Sequence, residues 1–279
     1  YISMVISNQN VKERAKDLTA KVVGVASVDR WKEAPEGVQP ELVLPGAKSV
    51  IVFGVPIPRG MVETIPGHLW SREHGHLMGG KVDEISTELA YWLEEEGYKS
   101  CPIGGLSIPK VTYYTFSKAL GGVPYDDFEF YKPGGIALNM AGAAAGIGTL
   151  GKSGNLLVPK YGPNIILGGV ITTAEIEPDP IMDYELCTDC DDCIGKCPGD
   201  AISVDGEAGK PIFDPIKCWL MNAVEGRTFA KASEAGDKAV IENLQKTVFM
   251  LSEATPATCI CGEGCLASCP IDNRIKKLK

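Results

Sequence analysis

The chain has 279 residues, more than one average domain, and its 44% apolar and 23% charged content is that of an ordinary folded protein. A net charge of −9, with no basic stripe carrying interleaved aromatics, argues against nucleic acid as a partner. The longest apolar run, 50–58, is broken by Gly54 and Pro56 and falls far short of the roughly 20 residues that span a bilayer, so no membrane partner is expected either.

A first helix is expected after Asn8 or Asn10, with Val11, Ala15, Leu18 and Val22 on one face. Lys48-Ser-Val-Ile-Val-Phe-Gly-Val-Pro reads as a strand covered on both faces. His68, His74 and His76, the three histidines of the chain, sit among Gly67, Gly75, Gly79 and Gly80. A His-x-His pair with a third histidine is a zinc or copper pattern, and the surrounding glycines read as a loop that covers a cofactor site. A second helix is expected from Lys81 to Glu96, burying Val82, Ile85, Leu89 and Leu93, with Gly97 as its left-handed end. Cys101, before Pro102 and far from the other cysteines, reads as a structural thiol.

Gly146, Gly148 and Gly151 punctuate a loop followed by Lys152, Ser153 and Asn155. Glycines let backbone approach a bulky ligand closely, and the three polar residues offer contacts to it. A tight connection whose glycines only pack is the other reading. Asn164-Ile-Ile-Leu-Gly-Gly-Val-Ile-Thr-Thr is a second core strand. Strands separated by helices point to an α/β first domain with a mixed sheet. The prolines of Glu177-Pro-Asp-Pro permit neither helix nor central strand, which sets domains at 1–180 and 181–279.

Nine of the ten cysteines lie from Cys187 onward, and in a reducing compartment such crowding means metal and not disulfides. No secretory pattern or twin-arginine pair opens the sequence, so a cytoplasmic location is expected. Cys187-x2-Cys190-x2-Cys193-x3-Cys197-Pro198 matches the bacterial ferredoxin run for [4Fe–4S] clusters. Three thiolates two residues apart wrap one cubane. The fourth starts a helix, with Pro198 in its first turn, and ligates a second cluster. A zinc ribbon needs only two CxxC pairs and leaves the third cysteine and the proline without a reason.

The second run is irregular: Cys261-x3-Cys265-x3-Cys269-Pro270, with Cys218 far upstream. Nine cysteines compete for eight places. One cluster is assigned Cys187, Cys190, Cys193 and Cys269; the other is assigned Cys197, Cys218, Cys261 and Cys265, with Cys259 as the alternative to Cys261. Between Cys218 and Cys259 a helical insertion presents Ile241, Leu244, Val248 and Leu251 on one face. The short basic end from Arg274 to Lys279 reads as a solvated tail.

The stretch Ala145-Gly-Ile-Gly-Thr-Leu-Gly-Lys-Ser-Gly-Asn, the following Tyr161-Gly-Pro, the Leu167-Gly-Gly-Val-Ile-Thr-Thr strand and the cysteine array together resemble the epoxyqueuosine reductase and corrinoid reductive dehalogenase superfamily. Leu44-Pro-Gly-Ala-Lys-Ser-Val-Ile-Val and Leu89-Ala-Tyr-Trp-Leu-Glu-Glu-Glu-Gly-Tyr look like its first domain, so the likeness runs from about residue 40 to 272. It implies an α+β architecture: a nitroreductase-like α/β domain followed by a ferredoxin-like domain with two [4Fe–4S] clusters and a helical insertion. It also implies base-off cobalamin between the two, with Gly146, Gly148, Gly151, Lys152, Ser153 and Asn155 as candidate contacts, and the split placement of Cys218 ahead of the insertion. A low-potential donor of ferredoxin or flavodoxin type would feed the clusters, and a small molecule or another corrinoid would be reduced.

One departure bears on the reaction. Epoxyqueuosine reductases carry a proton-donating aspartate upstream of the glycine loop, and the matching position here is Lys132, in Tyr131-Lys-Pro-Gly. Reductive dehalogenases use a tyrosine beside a basic residue, so Tyr131 and Lys132 are the candidate catalytic pair, with Asp126 and Asp127 as further acids. Two rivals stand beside a corrinoid reductase: an electron-transfer protein without corrinoid, and a reductive activator of another protein's corrinoid.

Overall fold

The computed structural model describes residues 5–34, 39–65, 69–70, 74–105, 136–206, 211–214, 217–218 and 262–274, with the side chains of 74–76 and 263 excepted. Helix α1 (Asn8–Asp17) starts at a capping box: the Ser7 hydroxyl accepts from the Asn10 N–H at 3.1 Å, and the Asn10 side chain accepts from the Ser7 N–H at 3.2 Å. Val11 and Ala15 are buried. The helix stops at Leu18 because Thr19 turns left-handed, with φ 79°. Val22, expected on its face, is instead the first residue of β1 (Val22–Ser27).

A 3-10 turn (Val28–Trp31) and the short α2 (Pro40–Val43) lead to β2 (Ser49–Pro56), buried along nearly its whole length. A single-turn α3 (Arg59–Val62) follows. The backbone of His74–Gly79 forms one wide helical turn that runs directly into α4 (Gly80–Glu95), which buries Val82, Ile85, Leu89 and Leu93. Gly97 beyond it has φ 92°, as a helix end of this kind requires. Strand β3 (Ser100–Ile103), helix α5 (Leu138–Ala144), the small hairpin β4 (Thr149–Leu150) and β5 (Leu156–Leu157), and β6 (Ile165–Thr172) complete the first part of the chain.

The main sheet has the order β1-β2-β6-β3. All three described pairings are antiparallel, which corrects the mixed sheet expected from the sequence. The error has a physical source. A continuous apolar run reports burial on two faces, and a sheet with helices on both sides produces it whatever the strand direction. On one face Ile51, Phe53 and Val55 meet Val11 and Ala15 of α1 and Val82, Ile85 and Leu89 of α4. On the other, Val50 and Val52 meet Leu138 and Ala141 of α5, Trp31, and Leu156 of the hairpin. Each fully buried side chain of this size contributes about 1.5–3 kcal/mol, so both faces contribute to holding β2 at the centre.

Residues 175–191 carry neither helix nor strand. Asp179 straps this segment to the sheet domain: its carboxylate accepts from the Val25 N–H at 2.9 Å and from Asn8 at 3.1 Å, and pairs with Lys12. Arg30 donates to the Asp179 carbonyl at 2.7 Å. Beyond lie the one-turn α6 (Asp192–Gly195) and an antiparallel hairpin of β7 (Ile202–Val204) and β8 (Pro211–Phe213). The insertion face of Ile241, Leu244, Val248 and Leu251 lies outside the described residues. No helix among the described residues is long and apolar enough to cross a membrane.

Candidate metal centre

The first cysteine run is loop and single-turn helix. Amides of Ile194, Gly195 and Lys196 close on the carbonyls of Asp191 and Asp192, which places Cys193 inside α6. No helix begins at Cys197, contrary to the expectation from Pro198. The chain turns instead, with the Asp200 N–H bonded to the Cys197 carbonyl at 3.3 Å and Asp200 itself left-handed at φ 46°. The Ala201 N–H donates to Cys197 Sγ at 3.4 Å.

The β7–β8 hairpin returns the chain to the same place. Asp214 N–H donates to the Ala201 carbonyl at 2.8 Å, and Cys218 N–H donates to Asp214 at 3.1 Å. Cys197 and Cys218, distant in sequence, therefore stand at the same open end of one hairpin.

The second run arrives as a wide helical turn, Glu263–Ala267, which packs on α6. The approach is backbone to backbone: a Cβ at Gly264 would lie 2.8 Å from the Cys193 carbonyl oxygen and 2.9 Å from the Cys197 nitrogen. Cys269 follows directly. Burial pushes its thiol up to about 11 against an N–H bond from Ile271, and the charges of Cys190, Cys187 and Cys193 add to the rise. Burial likewise raises Cys193, with Cys187 and Cys190 adding to it and Cys265 contributing less. Cys187, Cys190, Cys193 and Cys269 thus occupy one electrostatic neighbourhood, which two runs some seventy residues apart build together.

All eight described cysteines are half-buried. They are gathered without being closed on a common centre: among the described residues no three Cys, His, Asp or Glu side chains form a ready metal-holding group. The donor type nevertheless suits an iron–sulfur cluster, since cysteine sulfur is the soft ligand that such clusters take. Cys261 and its alternative Cys259 lie outside the described residues.

Comparison with known proteins bears on what this centre belongs to. No family model matches the chain. It is 26% identical over 203 residues to epoxyqueuosine reductase of Synechococcus sp. (strain RCC307), covering 71% of this chain and 52% of that protein. It is 27% identical over 177 residues to tetrachloroethene reductive dehalogenase of Dehalobacter restrictus, covering 61% of this chain and 26% of that one. The structure of epoxyqueuosine reductase from Streptococcus thermophilus superposes with a TM-score of 0.56 at 20% identity, over 96% of this chain and 66% of that one. A reductive dehalogenase described in connection with B12-dependent dehalogenation also gives 0.56 at 20% identity, over 91% of this chain and 37% of that one. The chain is a divergent member of the superfamily that contains these reductases. It spans about half the length of the curated epoxyqueuosine reductases it matches.

In this superfamily member the glycine loop lies against the cysteine run. Gly146 has φ 70°, and a Cβ there would overlap the carbonyl oxygen of Pro180. At Gly148 a Cβ would overlap the carbonyl oxygen of Leu157, and at Gly151 it would press on the Leu157 side chain. The chain itself fills the space that these residues leave by lacking a side chain. Thr149 Oγ1 accepts from the Leu186 N–H at 3.0 Å, and Lys152 Nζ lies 2.8 Å from the Asp191 carboxylate. Ser153 is buried and accepts from Asn155 at 3.2 Å. The loop is thus a platform on which the residues flanking Cys187 and Cys190 rest.

One group of residues escaped the sequence reading. Asp272 is fully buried at its side chain and is bound by the Arg274 guanidinium through Nε at 2.9 Å and Nη2 at 2.6 Å. Asn164, ahead of β6, donates to the same carboxylate at 2.9 Å and to the Leu266 carbonyl at 3.2 Å. Burial raises the Asp272 carboxyl, but the bonds from Arg274 and Asn164 outweigh it and hold the group below the usual carboxylate range. Arg274 also donates to the Ile57 carbonyl at 2.7 Å, so the reading of its basic end as a solvated tail is wrong at this residue. Its only signal was an Asp two residues from an Arg after Cys-Pro. Nearby, Trp70, Ile57, Val62 and Leu266 form a separate apolar cluster with Cys265 at its edge.

Tyr131, Lys132, Asp126, Asp127 and His68 lie outside the described residues. His74 and His76 fall in the helical turn before α4, and their side chains are likewise outside. Cys101, on β3 opposite Ile171, is a half-buried thiol that burial raises.

Proposed function

We propose that this chain is an iron–sulfur oxidoreductase that accepts low-potential electrons through two [4Fe–4S] clusters and uses them at a corrinoid to reduce a small molecule. The observation that supports the reading is the backbone contact between the two cysteine runs, where Gly264 of the second backs onto Cys193 and Cys197 of the first. Cys187, Cys190, Cys193 and Cys269 are proposed for the first cluster. Cys197 and Cys218, with Cys265 and Cys261, are proposed for the second cluster. The clusters supply one-electron transfer between close centres, and a corrinoid supplies a cobalt reductant.

The chain's own residues do the rest. The platform of Gly146–Asn155 holds the first run in place, and the half-buried setting of the thiols limits water around the clusters. Tyr131 and Lys132 are proposed to deliver the proton, a phenol made more acidic by its cationic neighbour. The proposed architecture is the nitroreductase-like domain 1–180 and the ferredoxin-like domain 181–279. A reducing compartment such as the cytoplasm suits thiols in this number.

A second reading, an electron-transfer protein without corrinoid, draws on one observation: the chain's own backbone fills the space beside Gly146 and Gly148. Anaerobic reconstitution separates the two. About eight iron and eight sulfide per chain are expected, and about one zinc would end the iron–sulfur reading. Stoichiometric binding of added cobalamin with a base-off cob(II)alamin EPR signal supports the corrinoid enzyme. No binding at micromolar cobalamin leaves the electron carrier.

A further inference from the structure

We propose that Asp272 is a positioning residue for Cys269: it locks the end of the second cysteine run onto both central strands, so that Cys269 is presented to the thiols of the first run. This rests on reading Cys269 as a cluster ligand.

Three bonds converge on Asp272 from side chains. Arg274 supplies two, and its remaining arm reaches the Ile57 carbonyl at the end of β2. Asn164 supplies the third from the start of β6. Arg59 of α3 adds a guanidinium nitrogen 3.8 Å away. The carboxylate is therefore tied to β2 and β6 together, the two strands at the centre of the sheet.

The backbone around it is held as closely. A Cβ at Gly162, which has φ 57°, would lie 2.7 Å from the Asp272 nitrogen, so this turn admits the segment only with glycine there. Asn273 N–H donates to the Lys160 carbonyl at 3.3 Å. One residue before Asp272, the Ile271 N–H bonds Cys269. The line from strand to ligand is thus short: Asn164 to Asp272, Asp272 to the adjoining Ile271, Ile271 to Cys269.

Burying a carboxylate is costly unless it is paired and hydrogen-bonded, and a well-packed apolar group there is often as stable. Such a group would not specify one register for the segment that follows Cys269. A charge that accepts from three directed donors does.

The test uses the full chain, reconstituted anaerobically with iron and sulfide, as wild type, Asp272→Asn and Asn164→Ala. Asn164 lies more than a hundred residues from Cys269 in sequence and, among the described residues, reaches it through Asp272 and Leu266. Both variants are expected to keep the far-UV circular dichroism of the wild type while iron falls about twofold, from about eight to about four per chain. The remaining cluster should keep its EPR signal and midpoint potential. The double variant should lose no more than either single one, because both residues act on the one cluster that Cys269 is read to ligate. Full iron with wild-type EPR in both variants overturns the proposal and leaves the iron–sulfur reading intact. A wild-type chain that takes up no iron overturns that reading instead. If Asp272→Asn does not fold, Asn164→Ala alone decides.

Discussion

Lys152 Nζ lies 2.8 Å from the carboxylate of Asp191, the residue that follows Cys190. The contact joins the glycine loop of the sheet domain to the first cysteine run. The Asp191 hydrogen bond raises the lysine ammonium, and the charge of Cys187 adds to it. A cation beside a cluster favours the reduced, more negative state. Lys152→Met should therefore move the midpoint potential of the cluster proposed at the first run to more negative values, and Asp191→Asn should move it the other way. Redox titration followed by EPR reads both, and shifts of the same sign would show that the pair acts on structure and not on charge.

Gly146 and Gly195 make a contrasting pair. A side chain at Gly146 meets the Pro180 backbone at a positive φ, whereas Gly195 in α6 has nothing within 4 Å of a built Cβ. Gly146→Ala should cost about 2–4 kcal/mol of stability, from left-handed strain and overpacking together. Gly195→Ala should be neutral or stabilise by up to about 1 kcal/mol. Urea denaturation of the two apo variants measures the difference.

Trp70 is fully buried against Leu266, beside Cys265. Trp70→Ala should destabilise the chain by about 3–5 kcal/mol, and it should loosen the second run before the sheet melts. Hydrogen exchange of the 262–269 amides should rise ahead of that of β2 and β6; simultaneous exchange would refute the order.

Asp272 carries a pH signature. Its carboxyl is held below its ordinary value in the folded chain, so its stabilisation is complete above the unfolded aspartate pKa of about 3.9. It is lost as pH falls through the lower, folded value. Acid unfolding of the apo chain should show this loss, and Asp272→Asn should flatten the curve over the same window while lowering stability at neutral pH.

Cys218 stands with Cys197 at one end of the β7–β8 hairpin. Cys218→Ala should remove one cluster, leaving about four iron per chain, with the other cluster still visible by EPR. If both clusters survive, Cys259 takes the place assigned to Cys218.

The amino-acid sequence by itself determined the local units. The spacing of Cys187, Cys190, Cys193 and Cys197 specifies a loop whose first three thiols, two residues apart, can reach one centre. The runs at Val50–Val55 and Val82–Leu93 specify a covered strand and an amphipathic helix, since burial period follows backbone geometry. Strand direction was not legible, because an apolar run is the same read either way. Only the tertiary structure decided that Lys152 faces Asp191 and that the turn at Gly264 backs onto Cys193 and Cys197. It also decided that Asp272 belongs to the core: a charged residue near a chain end looks like solvent-exposed surface until Asn164 and Arg274, neither marked by any local pattern, are brought to it. Periodicity reports what a residue's neighbours in the chain require, whereas a buried ion pair depends on partners that only the folded sheet assembles.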